Sequence, residues 1–185
     1  DKSGQIDAAR TWAITGRERH VDRAREGNLP YPMRALRTKD FLYIRNFAPD
    51  RWPMGSPGAV TENSEPSQNK LEHDTFIAFA DMDGSPTKAW LVQHRHEAKG
   101  KWYYDLAFGK RQSEELYDLG KDPDMVNNVA NSAKYAKVKD QMSADLMKKL
   151  QDAHDPRVSD DVIFEKPPYT NGPKEKPSEP NLFKP

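Results

Sequence analysis

The chain has 185 residues, of which 35% are hydrophobic, and its mean hydropathy is −1.00. This length and apolar content predict one modest hydrophobic core, and so one domain with long tails. The 29 basic and 29 acidic residues cancel, which argues against nucleic acid or an anionic membrane as a partner. An anionic ligand would have to be bound by a local patch of basic side chains.

Cysteine is absent from the chain, which excludes disulfides, thiolate metal ligands and a cysteine nucleophile. No apolar run approaches the roughly 20 residues that cross a bilayer, so we expect no membrane span. The first residues, DKSGQIDAAR, lack the charged and then apolar pattern of a signal peptide. They are typical of a chain cut in mid-course, and we expect an exposed lead-in there.

A basic cluster follows the first apolar run of the chain. Residues 12–14 predict a buried strand, which Gly16 ends. The next segment, GRERHVDRAR, contains Arg17, Arg19, His20, Arg23 and Arg25. Guanidinium groups bind sulfate, phosphate or carboxylate through paired N–H donors, and a histidine can add a donor or a proton. The segment is either an anion-binding loop or a solvated turn balanced by its acidic neighbours.

Periodicity places the main elements of the fold. Residues 31–37 and 41–47 predict two hairpin strands, and residues 114–119 predict a third. Asp122 followed by proline predicts a helix start, and apolar residues at three- and four-residue steps predict a helix over 133–153. The predicted fold is α+β: a small, mainly antiparallel sheet of about four strands with a long C-terminal helix packed on one face.

A second helix is predicted in the middle of the chain. Ser85 and the proline after it form an N-cap and a first helical position. The helix should run to about His94 and pack Trp90 and Leu91 onto the sheet. His94 and His96 are interpreted as surface residues at the helix end, because no third ligand stands at metal-binding spacing nearby.

Three ordered segments carry a resemblance to a known family: TGRERH, YPMRALRTKDFLYIRNF and EELYDLGKDPDMVNNVA. Together they resemble the C-terminal part of the formylglycine-dependent sulfatases, and within that family they are most similar to the heparan N-sulfatase (sulfamidase-like) branch. The resemblance implies that residues 1–30 end the catalytic-domain sheet and that residues 31–165 form the C-terminal subdomain. Residues 166–185 are rich in proline and predict an extended tail.

The resemblance also implies what this chain lacks. Sulfatases use a formylglycine nucleophile and Ca²⁺, which would belong to an N-terminal catalytic domain preceding Asp1. Residues 49–73 predict a long surface loop in which SEPSQ resembles the nucleophile motif, but Gln68 stands where the family has arginine. We therefore expect no catalytic and no metal-binding residues in the chain, and no activity from the fragment alone.

Substrate-binding residues are implied at the matching positions. His20 is the leading candidate, Arg17 and Arg19 could contact anionic groups of a sulfated saccharide, and Arg34 is a weaker candidate because packing also explains it. The chain has more residues between His20 and Tyr31 than the sulfamidase branch, so aryl or other sulfate esters and N-sulfated glucosamine both stay open as substrates. The family implies a periplasmic or secreted location, or a lysosomal one in a eukaryote.

A stand-alone carbohydrate-binding or interaction domain is the alternative interpretation. The first strand distinguishes a stand-alone domain from the C-terminal part of a sulfatase. A self-standing module should have a packed first strand, whereas residues 12–14 predict a strand that finds no sheet partner within this chain.

Overall fold

The computed structural model describes residues 9–21, 23–159 and 164–165. The predicted lead-in and the proline-rich tail lie outside these residues, apart from Ala9. The strands are β1 (Ala13–Arg17), β2 (Met33–Arg37), β3 (Phe41–Asn46) and β4 (Glu114–Asp118). The helices are α1 (Gln68–His73), α2 (Pro86–Gln93), α3 (Ala98–Phe108), α4 (Ala136–Asp152) and α5 (Pro156–Ser159), with 3-10 turns at Glu26–Asn28, Thr75–Ile77 and Ala133–Tyr135.

The four strands form one antiparallel sheet in the order β1-β2-β3-β4. Ile14, Leu36, Tyr43 and Leu116 stand opposite one another in register across it, and because side chains alternate along a strand they share one face. That face packs against α4 in a cluster that includes Leu146. The predicted α+β fold, with the long helix on one face of the sheet, is confirmed.

β1 departs from its prediction. It pairs with β2 along its whole length, so the expectation that this strand would find no partner in the chain is wrong. It is an edge strand with mostly exposed residues, because only β2 flanks it. The boundary predicted at residue 30 therefore runs between two paired strands.

The helix predicted to begin after Asp122 is also wrong. The Asp122 side chain accepts a hydrogen bond from the Asn127 amide at 2.8 Å, and its carbonyl accepts one from the Met125 amide at 3.1 Å. Aspartate closes turns of this kind as readily as it caps helices. The chain becomes helical only at Ala133.

A second layer contains α1, α2 and α3 and has its own hydrophobic cluster. Its buried residues include Leu71, Phe79, Val92 and Phe108, and the rings of Phe79 and Phe108 stack with centroids 4.1 Å apart. The prediction of a single core is therefore wrong, since this cluster is separate from the one under α4. The segment 49–73 is not all surface loop either, because α1 carries the buried Leu71.

Helix α2 belongs to this second layer. Its predicted N-cap is confirmed, because the Ser85 side chain accepts a hydrogen bond from the Lys88 amide. Leu91 packs in the second core and Trp90 is 42% exposed, so the expected packing of these two residues on the sheet is wrong. Trp90 instead contacts the ring of His94, with centroids 4.7 Å apart.

Lys88 provides a test of this layer. It is fully buried, and its Nζ donates to the carbonyls of Thr75 and Met82 at 2.9 Å each. Burial lowers the pKa of Lys88 from 10.5 to about 8, against an opposing effect of Asp74 and Asp83. Between these two pH values the unfolded chain binds more protons than the native chain, so the contribution of Lys88 to stability rises with pH.

We therefore expect the free energy of unfolding of the wild type, relative to Lys88→Met, to increase from about pH 8 to about pH 10.5. Urea unfolding followed by circular dichroism at several pH values measures this difference. Lys137→Met, at an exposed position of α4, is the control and should show no such slope. Parallel pH profiles for the wild type and Lys88→Met would contradict the prediction.

Candidate functional site

The buried carboxylate of Asp81 anchors the loop that follows β1. The side chain of Asp81 is fully buried, accepts a hydrogen bond from the Val21 amide at 3.0 Å and forms an ion pair with Arg25. The Nδ1 atom of His20 lies 4.0 Å from Oδ1 of the same carboxylate, and the His20 side chain is 61% exposed. His20 is thus presented to solvent from a backbone that Asp81 fixes in place.

Arg25 attaches this loop to a distant segment of the chain. Its Nε donates to the Trp52 carbonyl at 2.6 Å and its Nη2 donates to the Pro53 carbonyl at 2.8 Å. Burial lowers the pKa of Arg25 and the neighbouring Asp81 carboxylate opposes that shift. The guanidinium is therefore a buried support of the loop, and does not face solvent as an anion-binding group would.

Arg17 and Arg19 do not converge with His20. The Nη2 of Arg17 donates to the Pro53 carbonyl at 2.7 Å. Arg19 donates to the carbonyls of Asn28 at 2.5 Å and Phe164 at 2.7 Å. Arg17 thus shares the Pro53 carbonyl with Arg25, Arg19 is held elsewhere, and His20 is the candidate that the structure places beside Asp81.

Arg34 lies in a separate network of charges. Its Nε and Nη2 donate to the two carboxylate oxygens of Asp155 at 2.8 and 2.9 Å, and its Nη1 lies 2.9 Å from a carboxylate oxygen of Glu18. Burial lowers the pKa of Arg34, but these two carboxylates outweigh it and raise the pKa. Arg157 also pairs with Glu18. The network ties the loop and α5 to β2.

A cavity of about 580 Å³ opens beside the loop that Asp81 holds, although neither His20 nor Asp81 lines it. Arg25 and Ala80, one paired with Asp81 and the other next to it in sequence, both line it, together with Trp52 and Ser56. This volume lies within the range of about 300–1,000 Å³ for small-molecule sites. Aromatic and hydroxyl groups in its wall are suited to a sugar ring, which offers both apolar faces and polar edges.

Sequence reasoning missed Asp81, Trp52 and Ser56. Asp81 is 61 positions from His20 in the chain, and no local pattern marks it. The segment resembling a nucleophile motif has structural roles: Ser67 caps α1 and Glu65 pairs with Arg95.

The described residues offer no fit for the Ca²⁺ that the resemblance implies. Within them, no group of three or more His, Asp or Glu side chains is placed to hold a metal ion. In the part of the chain that the structure describes, no helix is long and apolar enough to cross a membrane.

The chain is 27% identical over 171 residues to human N-sulphoglucosamine sulphohydrolase. The aligned region covers 87% of this chain and 28% of the human protein. This similarity supports a sulfatase-like relationship. No family model matches the chain. The chain thus spans less than a third of the length of the relative it matches.

Proposed function

We propose that this chain is the C-terminal portion of a sulfatase that hydrolyses sulfate esters or sulfamates, with sulfated saccharides or aryl sulfates as substrates. The similarity to human N-sulphoglucosamine sulphohydrolase supports this class of reaction. The observation that carries a role for this chain is the exposed His20 held over the buried Asp81 carboxylate. The nucleophile and Ca²⁺ are expected from an N-terminal sulfatase catalytic domain, as is a location in the periplasm, outside the cell or in a lysosome.

Each candidate residue has a different role in this proposal. His20 contacts the substrate beyond its sulfate group, and Asp81 is a positioning residue that fixes the His20 backbone. Arg19 supports the loop by donating to the Asn28 carbonyl. Arg17, at the end of β1, contacts an anionic group of the substrate. Arg34 acts indirectly, because its donors are engaged by Glu18 and Asp155.

The proposal is tested first on the native protein. We expect an intact mass well above the 21.2 kDa of this chain, and Ca²⁺-dependent turnover of an aryl sulfate or of N-sulfated glucosamine. A native mass of 21.2 kDa with no turnover of either substrate would overturn it.

Replacing His20 tests the site itself. A hydrogen bond to a charged group contributes about 1.5–3 kcal/mol, so we expect His20→Ala to lower kcat/KM roughly 10- to 100-fold. His96→Ala, at another exposed histidine, is the matched control and should keep the wild-type value. Equal kcat/KM for the two variants would remove His20 from the site.

A carbohydrate-binding domain without catalysis is the second candidate. The pairing of β1 with β2 favours it, because the first strand has a sheet partner within this chain, and so do Trp52 and Phe76 in the wall of the cavity. In that case the protein would bind a saccharide without turnover, and Trp52→Ala would abolish the binding measured by calorimetry.

A further inference from the structure

A groove of about 630 Å³ runs over the sheet on the side away from α4. Met33 and Ile44 contribute to its floor, since both point away from the row of residues that packs on the helix. Met54 and Leu106 from the second layer form part of its wall. A mostly apolar concavity of this volume, with a few polar groups, is typical of a small-molecule site.

Two of the residues that line this groove, Arg17 and Tyr31, carry buried polar atoms without a partner. Among the described residues, the buried side-chain nitrogen and oxygen atoms without a hydrogen-bond partner are Arg17 Nε, Arg25 Nη1 and Tyr31 Oη. Arg17 and Arg25 donate to the same Pro53 carbonyl, and the Arg25 guanidinium lies 5.7 Å from the centre of the Tyr31 ring. Buried polar groups are rarely left without partners, so Arg17 Nε and Tyr31 Oη mark a place in the groove where an acceptor belongs.

Tyr31 and Arg17 both line the groove, and Tyr31 is only 1% exposed. Burial raises the pKa of Tyr31 to about 12, reinforced by Glu115 and opposed by Arg111 and Arg17. The phenol is therefore protonated at neutral pH and can donate a hydrogen bond.

Two guanidinium groups, of Arg17 and Arg111, and two carboxylates, of Glu115 and Asp124, line the groove. The structure records no ion pair for Arg17 among the described residues, and Arg111 also lines the groove. The nearby Glu115 carboxylate is already engaged, because it accepts hydrogen bonds from Asn46 at 2.7 Å and Tyr117 at 2.5 Å. Unused donors and a guanidinium without a counter-charge remain for a ligand.

We propose that this groove binds a small organic acid that has one carboxylate on an apolar body. The carboxylate accepts hydrogen bonds from the Tyr31 hydroxyl and from Arg17 Nε, where it also supplies the missing counter-charge. The apolar body lies against Met33, Ile44 and Leu106. This site shares Arg17 with the proposed substrate pocket, but His20 and Asp81 are not part of the groove lining, so binding of the acid can be tested apart from sulfatase turnover.

The probes are 4-methylbenzoate, its neutral amide and inorganic sulfate, each titrated into the purified protein by isothermal calorimetry. We expect the benzoate to bind at least tenfold more tightly than the amide or sulfate, because only it combines the charge with the apolar body. Equal affinities for acid and amide, or sulfate binding as tight as the benzoate, would overturn the proposal. So would an absence of benzoate binding.

Tyr31→Phe locates the binding, and it should fold because it removes an oxygen that has no partner in the protein. We expect it to weaken benzoate at least fivefold and to leave the amide unchanged, and Arg17→Gln to do the same. Tyr103→Phe, at a residue 41% exposed, is the control. Unchanged benzoate affinity in both groove variants would place the acid elsewhere, whereas an effect of His20→Ala on sulfatase turnover would bear only on the proposed function.

Discussion

Replacing Asp81 with alanine is expected to lower the free energy of unfolding by about 3–5 kcal/mol, because it leaves a buried guanidinium without its counter-charge. The side chains of Arg25 and Asp81 are 4% and 0% exposed, so water cannot take the place of the carboxylate. The Val21 amide loses its acceptor in the same change. His20→Ala should cost far less stability, since His20 is mostly exposed.

Urea unfolding followed by circular dichroism measures the cost, with Asp50→Ala as a control at an exposed aspartate. The double variant Arg25→Met, Asp81→Leu should recover most of the lost stability, because removing both charges leaves no unpaired ion. If Asp81→Ala proved no more destabilising than Asp50→Ala, the carboxylate would not be the anchor of the loop.

Replacing Leu146 with alanine is expected to destabilise the protein by about 2–5 kcal/mol, through lost burial and the cavity that remains. Leu146 is fully buried in the cluster where α4 meets Leu36, Tyr43 and Leu116 of the sheet. The sheet packs against Leu146 on one side and cannot move freely into the cavity that alanine leaves. We therefore expect a loss of stability in the upper part of that range.

Thermal and urea unfolding of Leu146→Met and Lys137→Ala provide the comparison. The methionine conserves most of the volume and should cost less than about 1.5 kcal/mol, and Lys137 is exposed on the same helix. A loss below about 1 kcal/mol for Leu146→Ala would show that α4 contributes little to holding the sheet.

The amino-acid sequence determined the local elements. Alternating side chains predicted β2, β3 and β4, the recurrence of apolar residues predicted α4, and Ser85 before a proline predicted the start of α2. These signals depend on the conformation of a few consecutive residues, and such conformations are decided largely by local sterics and hydrogen bonds. The resemblance to sulfatases likewise rested on contiguous motifs.

Only the tertiary structure decided which residues meet. The pairing of β1 with β2 contradicted the prediction for the first strand, because a strand's partner is chosen by register and packing elsewhere in the chain. Asp81 reached Arg25 across 56 positions and Asp155 reached Arg34 across 121. A charged residue has the same sequence signature whether it is exposed or buried in an ion pair. Burial therefore determined that Arg34 ties α5 to the sheet and that His20 remains exposed at the candidate site.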